Sequence, residues 1–392
     1  MFKQSIKKLF PDRAHQLSFL ILAVVLLVGI PLFCDSFRLN MAAKYLSLAF
    51  AAVGLVICWG YGGILSLGQA AFWGIGGYCM AAFLKLEAAR NIAMEQGSDQ
   101  IKALTTVGLP DFMDWNQITE LPRLWYPFKS FPLTMICLLV VPGLIAYLLG
   151  NAIFKRRVNG VYFAIITQAL CWLMEILFVT SQGLTGGING ITDLRTCLGW
   201  DIQSDSAHNI LYFLTALLLL GSILLSKRVL HSKMGKILVA IRDMEDRVRF
   251  SGYDVSNFKV FAFAFAAVIS AIGGALFSLN VGFMSPKLVT IEPSIYMVIF
   301  CALGGRRSLI GAVYGTLIVC LGRTFLSEKF PELWMFIMGG IFILTTVVCS
   351  DGLAGLVEQY GSRLWNFIKK YTRIDVLLAK ISPRLTLSKE QS

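Results

Sequence analysis

Blocks of roughly twenty apolar residues recur along the chain and constrain its fold more than any other feature. A helix needs about twenty such residues to cross a hydrocarbon core of about 30 Å. The mean hydropathy is +0.70 and only 15% of residues are charged, whereas soluble domains carry roughly 25%. The sequence therefore predicts an all-α polytopic membrane protein with about ten transmembrane helices. The predicted crossings are 17–33, 41–59, 62–84, 133–154, 158–180, 209–226, 258–280, 294–304, 309–323 and 332–349.

Two of these crossings, 294–304 and 309–323, are shorter than the bilayer requires. A Gly-Gly-Arg-Arg run at 304–307 separates them. Charged residues are costly inside hydrocarbon, so this run favours a break at a membrane surface. We expect the two segments to be tilted or partial helices.

The distribution of Lys and Arg predicts the orientation, because cytoplasmic loops of membrane proteins are enriched in these residues. With the N-terminus inside, the cytoplasmic segments hold most of the 35 Lys and Arg. Both termini are then cytoplasmic, and the first crossing, which lacks a small-residue cleavage site, is expected to be a retained anchor. The predicted organisation is a cytoplasmic segment 1–16, a permease domain 17–355, external loops 85–131 and 181–208, a cytoplasmic loop 227–257, and a basic cytoplasmic tail 356–392.

A net charge of +12 is accounted for by this cytoplasmic enrichment, so the sequence predicts a bilayer, and no nucleic acid, as its partner. Nine cysteines form no C-x-x-C pair, and three histidines show no ligand spacing, so no metal site is predicted. Cys34 and Cys197 lie outside the crossings, and a disulfide between them stays an open question.

The chain lacks the sequence patterns of the common hydrolases. It has no G-x-x-x-x-G-K-[ST], no H-E-x-x-H and no G-x-S-x-G, so it is not expected to be an enzyme or to hydrolyse a nucleotide. Glu175 is the main ionisable residue that we single out within the crossings, and its place near the outer interface favours a structural role. Without a relay of ionisable groups, we expect a path for neutral or zwitterionic cargo whose energy comes from elsewhere.

The cytoplasmic loop 227–257 has the pattern of a short amphipathic helix. Apolar residues at 237–241 supply one side of the helix. Three opposite-charge pairs at i,i+4 support it, and they are Arg242/Asp246, Asp243/Arg247 and Glu245/Arg249. A helix of this kind suits docking into a groove on a partner protein, and its interleaved acidic residues argue against the alternative of an anionic lipid surface. The candidate coupling residues are Gly235, Arg242, Asp243, Glu245, Arg247 and Gly252.

Three stretches resemble the permease subunits of branched-chain amino acid-type ABC importers, and the likeness covers most of 40–355. "GILSLGQAAFWGIGGY" (63–78) is similar to that family's G-L-L-S-L-G-[HQ]-x-x-F-x-x-x-G-x-Y signature. "GKILVAIRDMEDRVRFSGYDV" (235–255) resembles its cytoplasmic coupling loop. "ALGGRRSLIGAVYG" (302–315) resembles its G-G-x-G-[ST]-L-x-G-[AP]-x-x-G segment, with Arg307 where a glycine is usual.

Within that family the sequence most resembles the larger permease of urea importers. The stretches 141–170, 186–194 and 330–344 carry this likeness, whereas Ile188 and the region of Glu175 depart from it. The resemblance implies an inner-membrane heterodimer with a second, homologous permease, two ATPase subunits and a periplasmic substrate-binding protein. It also implies that ATP binds to the ATPase and that this chain holds no cofactor. The expected cargo is urea, with branched-chain or other amino acids as the alternative.

A path for a small polar solute needs amides, hydroxyls and free backbone groups. The candidate pathway residues are Ser66, Gln69, Thr167, Gln168, Thr185 and Asn189. Gln69 and Gln168 have helix–helix hydrogen bonding as an equally open role. Small residues let helices approach closely, and the candidate packing glycines are Gly74, Gly77, Gly311 and Gly315.

Two other classes of transport protein remain open from the residues alone. A self-contained secondary carrier can also place broken, glycine-rich helices at a central site, and 62–77 and 304–315 are a similar pair. A passive channel would need no docking loop. The carrier should work alone when reconstituted, whereas an ABC permease should be inert without its ATPase.

Overall fold

The computed structural model describes residues 13–95, 108–158, 160–348 and 352–355. The predicted segment 1–16 and loop 85–131 therefore lie partly, and the tail 356–392 wholly, outside the described residues. The helices are α1 (Arg13–Val24), α2 (Ile30–Phe33), α3 (Ser36–Leu55), α4 (Gln69–Glu95), α5 (Asp111–Trp115), α6 (Phe131–Lys155), α7 (Val161–Thr180), α8 (Gln182–Thr185), α9 (Asp205–His231), α10 (Lys233–Phe250), α11 (Val255–Val281), α12 (Ile291–Gly304), α13 (Leu309–Lys329) and α14 (Trp334–Val348).

Short elements connect these helices. A π-helical turn at Val25–Gly29 joins α1 to α2, and another at Val56–Tyr61 extends α3. The 3₁₀ turns are Arg123–Lys129, Gly187–Asn189 and Pro286–Leu288. An antiparallel pair, β1 (Thr196–Cys197) and β2 (Trp200–Asp201), is the only sheet among the described residues.

Eight helical stretches of the described chain are long and apolar enough to cross a membrane. They agree with eight of the ten predicted crossings, so a polytopic helical membrane protein is confirmed. The other two predictions correspond to α4 and to α14, which has 15 residues. The eight stretches are Gln16–Phe33, Ser36–Tyr61, Phe131–Lys155, Val161–Thr180, Asp205–His231, Val255–Val281, Pro286–Gly304 and Leu309–Lys329.

The prediction that the third crossing is helical from residue 62 is wrong, since α4 begins at Gln69. Gly63 has a φ of +69°, a left-handed conformation that glycine adopts without steric cost, and it ends the preceding helix. The backbone then runs without regular structure to Gly68. At its other end α4 continues to Glu95, so the first part of the predicted loop 85–131 is helical.

The short crossings differ from each other. α12 has 14 residues, and at 1.5 Å per residue it spans only about 21 Å. It is therefore a partial helix, as predicted, and the segment that precedes it packs back against α4. α13 has 21 residues, so the prediction of a short ninth helix is wrong.

α11 lies at the centre of the bundle and packs against α3, α4 and α6. Its contacts with α4 are made by small residues and aromatic rings. The rings of Trp73 and Phe277 have centroids 4.8 Å apart, and those of Phe72 and Phe263 are 5.3 Å apart. Such edge-to-face pairs add to the stabilisation from burial of the rings.

The two segments that are predicted to be external are tied to the helical bundle. The Lys85 ammonium lies 2.9 Å from the Asp111 carboxylate and donates to the Thr192 carbonyl at 3.0 Å. Ile191 and Met284 exchange backbone hydrogen bonds of 2.8 and 2.9 Å. The loop 181–208 is therefore an ordered cap that rests on the connection between α11 and α12.

Cys34 and Cys197 are both free thiols, so the structure contains no disulfide between them. Burial, followed by the nearby Glu87 carboxylate, raises the pKa of the Cys197 thiol to about 11. The thiol is therefore protonated at neutral pH, and a thiol in this form is a poor nucleophile for disulfide formation.

The four candidate packing glycines all lie where another chain segment comes close. A Cβ on Gly311 or Gly315 would overlap backbone atoms of α12, at Gly304 and Phe300 respectively. A Cβ on Gly74 would overlap the Val289 side chain, and one on Gly77 would lie 2.7 Å from the Met284 sulfur. These positions leave no space for a larger residue.

We expect Gly315→Ala to destabilise the protein, because its methyl group would collide with the α12 backbone, and overpacking costs about 1–3 kcal/mol. Gly322 lies on the same helix with no atom within 4 Å of a built Cβ, so Gly322→Ala is the matched control. The measurement is the thermal unfolding midpoint of the detergent-purified chain. Equal midpoints for the two variants would contradict the close contact.

Candidate functional site

The irregular segment 62–68 lies between α3 and α4 and is held by side chains from two other helices. Backbone groups buried in a bilayer need internal partners, because lipid offers none. The Leu67 N–H donates to Thr167 Oγ1 at 3.1 Å, and Ser294 Oγ donates to the Leu67 carbonyl at 2.6 Å. Thr167 comes from α7 and Ser294 from α12, so three helices meet at this break.

Ser66 and Gln69 bracket this junction, and both are fully buried. Ser66 Oγ accepts a hydrogen bond of 3.3 Å from the Gly68 N–H, which turns the backbone into α4. Thr167 Oγ1 also donates to the Ala164 carbonyl at 2.9 Å. The structure thus brings three of the predicted pathway residues, Ser66, Gln69 and Thr167, into one neutral polar cluster.

The Gln69 amide has one satisfied end and one unsatisfied end. Its Oε1 accepts a hydrogen bond of 2.9 Å from Ser270 on α11, whereas its buried Nε2 has no partner among the described residues. A buried donor without a partner costs on the order of 1–3 kcal/mol. The amide therefore links two helices and also keeps two N–H bonds available to a water or a polar solute.

The remaining predicted pathway residues lie apart from this cluster. Gln168 is the neighbour of Thr167 on α7 but is only partly buried, and Glu175 is also partly buried, two turns further along. Thr185 donates to the carbonyls of Phe178 and Ser181, and so caps the outer end of α7. Asn189 is exposed on the external cap.

Two serines of the junction, Ser270 and Ser294, are not among the residues that the sequence singles out. Each is a single hydroxyl residue in an apolar stretch, and only the fold brings it to the break. Buried polar residues are hydrogen-bonded in most proteins, so isolated serines within crossings are a weak signal for such a junction.

The amphipathic helix α10 lies against the ends of the membrane helices through its apolar residues. Leu238 and Ile241 are buried, and Gly235 packs so closely on Leu230 that a Cβ would overlap its backbone. Since α10 begins at Lys233, Gly235 lies in its first turn. Gly252, with a φ of +85°, follows the end of the helix.

Arg242 holds α10 to the end of α3. Its guanidinium donates to the Gly60 carbonyl at 2.8 Å and pairs with Asp243 at 2.9 Å. Gly60 in turn lies against the backbone of Arg306, in the loop between α12 and α13. One guanidinium thus connects α10 with a surface formed by the end of α3 and the loop between α12 and α13.

Glu245 holds α10 to α11. Its carboxylate lies 2.7 Å from the Lys259 ammonium and 2.8 Å from the Arg249 guanidinium. The Lys259 side chain is 7% exposed, and a buried charge requires a partner because its desolvation is costly. Lys259 is a further residue that the sequence does not single out.

α10 is kinked between these two contacts, because Met244 has non-helical angles of φ −150° and ψ 75°. The predicted pair Glu245/Arg249 is confirmed. The predicted pairs Arg242/Asp246 and Asp243/Arg247 are wrong: they span the kink, neither forms, and both Asp246 and Arg247 are exposed. A cavity of about 110 Å³ lies beside the kink, lined by Gly63, Phe163 and the side chains that hold α10.

No group of three or more His, Cys, Asp or Glu residues in the described ranges is arranged to hold a metal ion. What the structure contains is a neutral polar break inside a helical bundle and a charged contact between that bundle and a surface helix.

The chain matches the family described as "Branched-chain amino acid transport system / permease component" over residues 37–346. This match covers well over half of the 392 residues, so the chain belongs to this family of ABC transporter permeases. Its relatives are transport permease subunits and not enzymes. No solved structure matches the chain.

Two kinds of relative illustrate the range of the similarity. The high-affinity branched-chain amino acid transport system permease protein LivM of Escherichia coli (strain K12) is 25% identical over 361 residues, which cover 86% of this chain and 74% of that protein. The xylose transport system permease protein XylH of the same strain is 29% identical over 141 residues, which cover 34% and 35%.

We expect Gln69→Leu to lower transport strongly while the yield of folded protein changes little. The interhelical hydrogen bond that it removes is worth only about 0.6 kcal/mol on average, whereas the loss of the free Nε2 removes two donors from the cluster. Ser270→Ala is the control, since it removes the same bond and keeps the amide. Loss of folded protein in Gln69→Leu would instead favour a packing role.

Glu245→Gln should destabilise the protein by about 1–3 kcal/mol, because hydrogen bonds to charged groups are worth roughly that amount and Lys259 would lose its carboxylate. Asp246→Asn, an exposed neighbour, should change the free energy of unfolding by less than about 0.5 kcal/mol. Thermal unfolding of the purified chain measures both. A larger effect at Asp246 would contradict the assigned contact.

Proposed function

We propose that this chain is a permease subunit of an ABC importer that carries a branched-chain or other small amino acid into the cell. The observation that carries the proposal is the extent of its similarity to LivM, which covers 86% of the chain. Similarity to the xylose permease covers 34%, and similarity to the autoinducer 2 import permease LsrC of Yersinia pseudotuberculosis serotype O:3 (strain YPIII), 25% identical, covers 55% of this chain and 65% of that protein.

Urea, the cargo expected first from the sequence, is therefore replaced by its alternative. The resemblance to urea permeases rests on three local stretches. The relatives that match most of the chain are instead named as branched-chain amino acid transport permeases. Membership of an ABC permease family also argues against the self-contained carrier. Energy then comes from ATP hydrolysis on a separate ATPase subunit.

The proposed path passes the break at 62–68. Ser66, Gln69 and Thr167 line it, and Gln168 lies one residue further along α7. An amino acid zwitterion presents both N–H donors and carboxylate acceptors, and the cluster offers hydroxyls and the free Gln69 amide group without a fixed charge. Thr185 and Asn189 belong to the outer cap, at which a binding protein would deliver the cargo.

The proposed assembly contains a second homologous permease, two ATPases and a substrate-binding protein, in the cell inner membrane. Support for the ATPase contact comes from apolar side chains on and after α10 that nothing in the described chain covers. Met244 is 55% exposed and Phe250 is 92% exposed. Exposed apolar side chains on a surface helix fit a groove on a partner protein.

Deletion of the gene should abolish uptake of labelled leucine and leave uptake of labelled urea unchanged. The reason is that the relatives matching most of this chain are named as branched-chain amino acid permeases. Uptake by the deletion strain with and without the gene restored on a plasmid is the measurement. Loss of urea uptake with normal leucine uptake would overturn the proposed cargo.

Phe250→Asp should reduce co-purification of the ATPase at least tenfold, because it places a charge in the apolar contact. Ser251→Asp adds the same charge one residue further on, at a position that is also exposed, and should have a smaller effect. The measurement is the ratio of ATPase to permease after affinity purification. Equal ratios for the two variants would remove Phe250 from the proposed contact.

A further inference from the structure

Two cations lie within membrane helices at the end of the bundle that is predicted to face outside. Lys44 is eight residues after the start of α3, about 12 Å along its axis, and Arg323 is six residues before the end of α13, about 9 Å along its axis. The two helices pack together, and the Tyr45 hydroxyl and Thr324 Oγ1 share a hydrogen bond. Arg323 acts electrostatically on Lys44, so the two cations lie near each other. Neither was singled out from the sequence.

Aromatic rings hold both cations by their faces. The Arg323 guanidinium carbon lies 4.7 Å from the ring centre of Tyr296 and 5.2 Å from that of Trp334. Lys44 Nζ lies 5.9 Å from the ring centre of Phe277. A stacked guanidinium keeps its five N–H donors free in its own plane, where they match the oxygens of a phosphate or carboxylate.

These donors have no acceptor in the part of the chain that the structure describes. Among the described residues, neither Lys44 nor Arg323 forms a side-chain hydrogen bond or an ion pair. Glu292 and Glu328 act electrostatically on the neighbouring tyrosines but do not pair with either cation. Two adjacent cations repel each other, and an anion bound between them would offset this repulsion.

The geometry distinguishes this site from the proposed path. Ser294, which bonds to the break at 62–68, and Tyr296, which stacks on Arg323, are two residues apart on α12. Such residues project about 200° apart around a helix. The cation pair therefore lies on the opposite side of α12 from the polar cluster, and both cations are exposed on the protein surface.

We propose that Lys44 and Arg323 form a binding site for the phosphate of an anionic phospholipid. Long cationic side chains extend toward the membrane surface, and the position of these two, about 9–12 Å from the helix ends, brings their charged groups to the level of lipid headgroups. Trp334 and Tyr296 are the aromatic types that favour this interface. The lipid would thereby join α3 to α13, two helices on the side of the bundle away from the path.

The test uses the full chain in detergent and adds short-chain phosphatidylglycerol, with phosphatidylcholine of the same chain length for comparison. Phosphatidylglycerol should raise the thermal unfolding midpoint by several degrees, and phosphatidylcholine should not. Lys44→Gln and Arg323→Gln, made separately, should each raise the phosphatidylglycerol concentration needed for half of this shift at least tenfold. Lys329→Gln, at the end of α13, is the matched control and should keep the wild-type response.

Two further additions distinguish the source of the anion. Inorganic phosphate should leave the unfolding midpoint of the wild-type chain unchanged, and any shift with leucine should be the same in Arg323→Gln as in the wild type. A shift with leucine that Arg323→Gln removes would assign the site to cargo, and a shift with inorganic phosphate alone would assign it to a free ion. An unchanged phosphatidylglycerol response in both variants would overturn the proposal. If one variant does not fold, the mass of phospholipid that co-purifies with the other variant is compared with the mass that co-purifies with the wild type. Equal masses would overturn the proposal.

Discussion

The structure depends on one constraint, which is that a backbone inside a membrane must find its hydrogen-bond partners within the protein. The segment 62–68 breaks the helical pattern and so leaves several such groups without the usual helical partner. Thr167 and Ser294 supply partners from two other helices, and Ser66 supplies one locally. The relative positions of α4, α7 and α12 follow from these bonds. The same bonds place the Gln69 amide at the centre of the bundle.

Hydropathy predicts most of the crossings because the free-energy cost of burying a charge in lipid exceeds the local conformational preferences of most residues. The predicted crossing 133–154 corresponds to α6, and 258–280 corresponds to α11, within a few residues. Hydropathy does not detect the break at 62–68, because this segment is as apolar as the helices around it. Only its paired glycines mark the break, and the left-handed Gly63 is the residue that produces it.

The site was predicted in part, and the difference follows from how its residues reach one another. Ser66 and Gln69 stand out because they are polar within one apolar stretch. The place of Ser270 and Ser294 at the junction is visible only from their contacts across the bundle. The kink at Met244 has no sequence signal either, since that residue is neither Gly nor Pro. Contacts on both sides of it, made by Arg242 and Glu245, hold the backbone in its non-helical conformation.

The contact between Glu245 and Lys259 has a mechanical consequence. Lys259 lies in the second turn of α11, and Ser270, which holds the Gln69 amide, lies eleven residues later on the same helix, about 16 Å along its axis. A straight helix resists compression and stretching along its axis, so α11 forms a rigid connection between α10 and the Gln69 amide. A displacement of α10 along this axis would either break the ion pair between Glu245 and Lys259 or move the Gln69 amide. Through α11, the position of α10 and the hydrogen bond to the Gln69 amide are therefore geometrically linked.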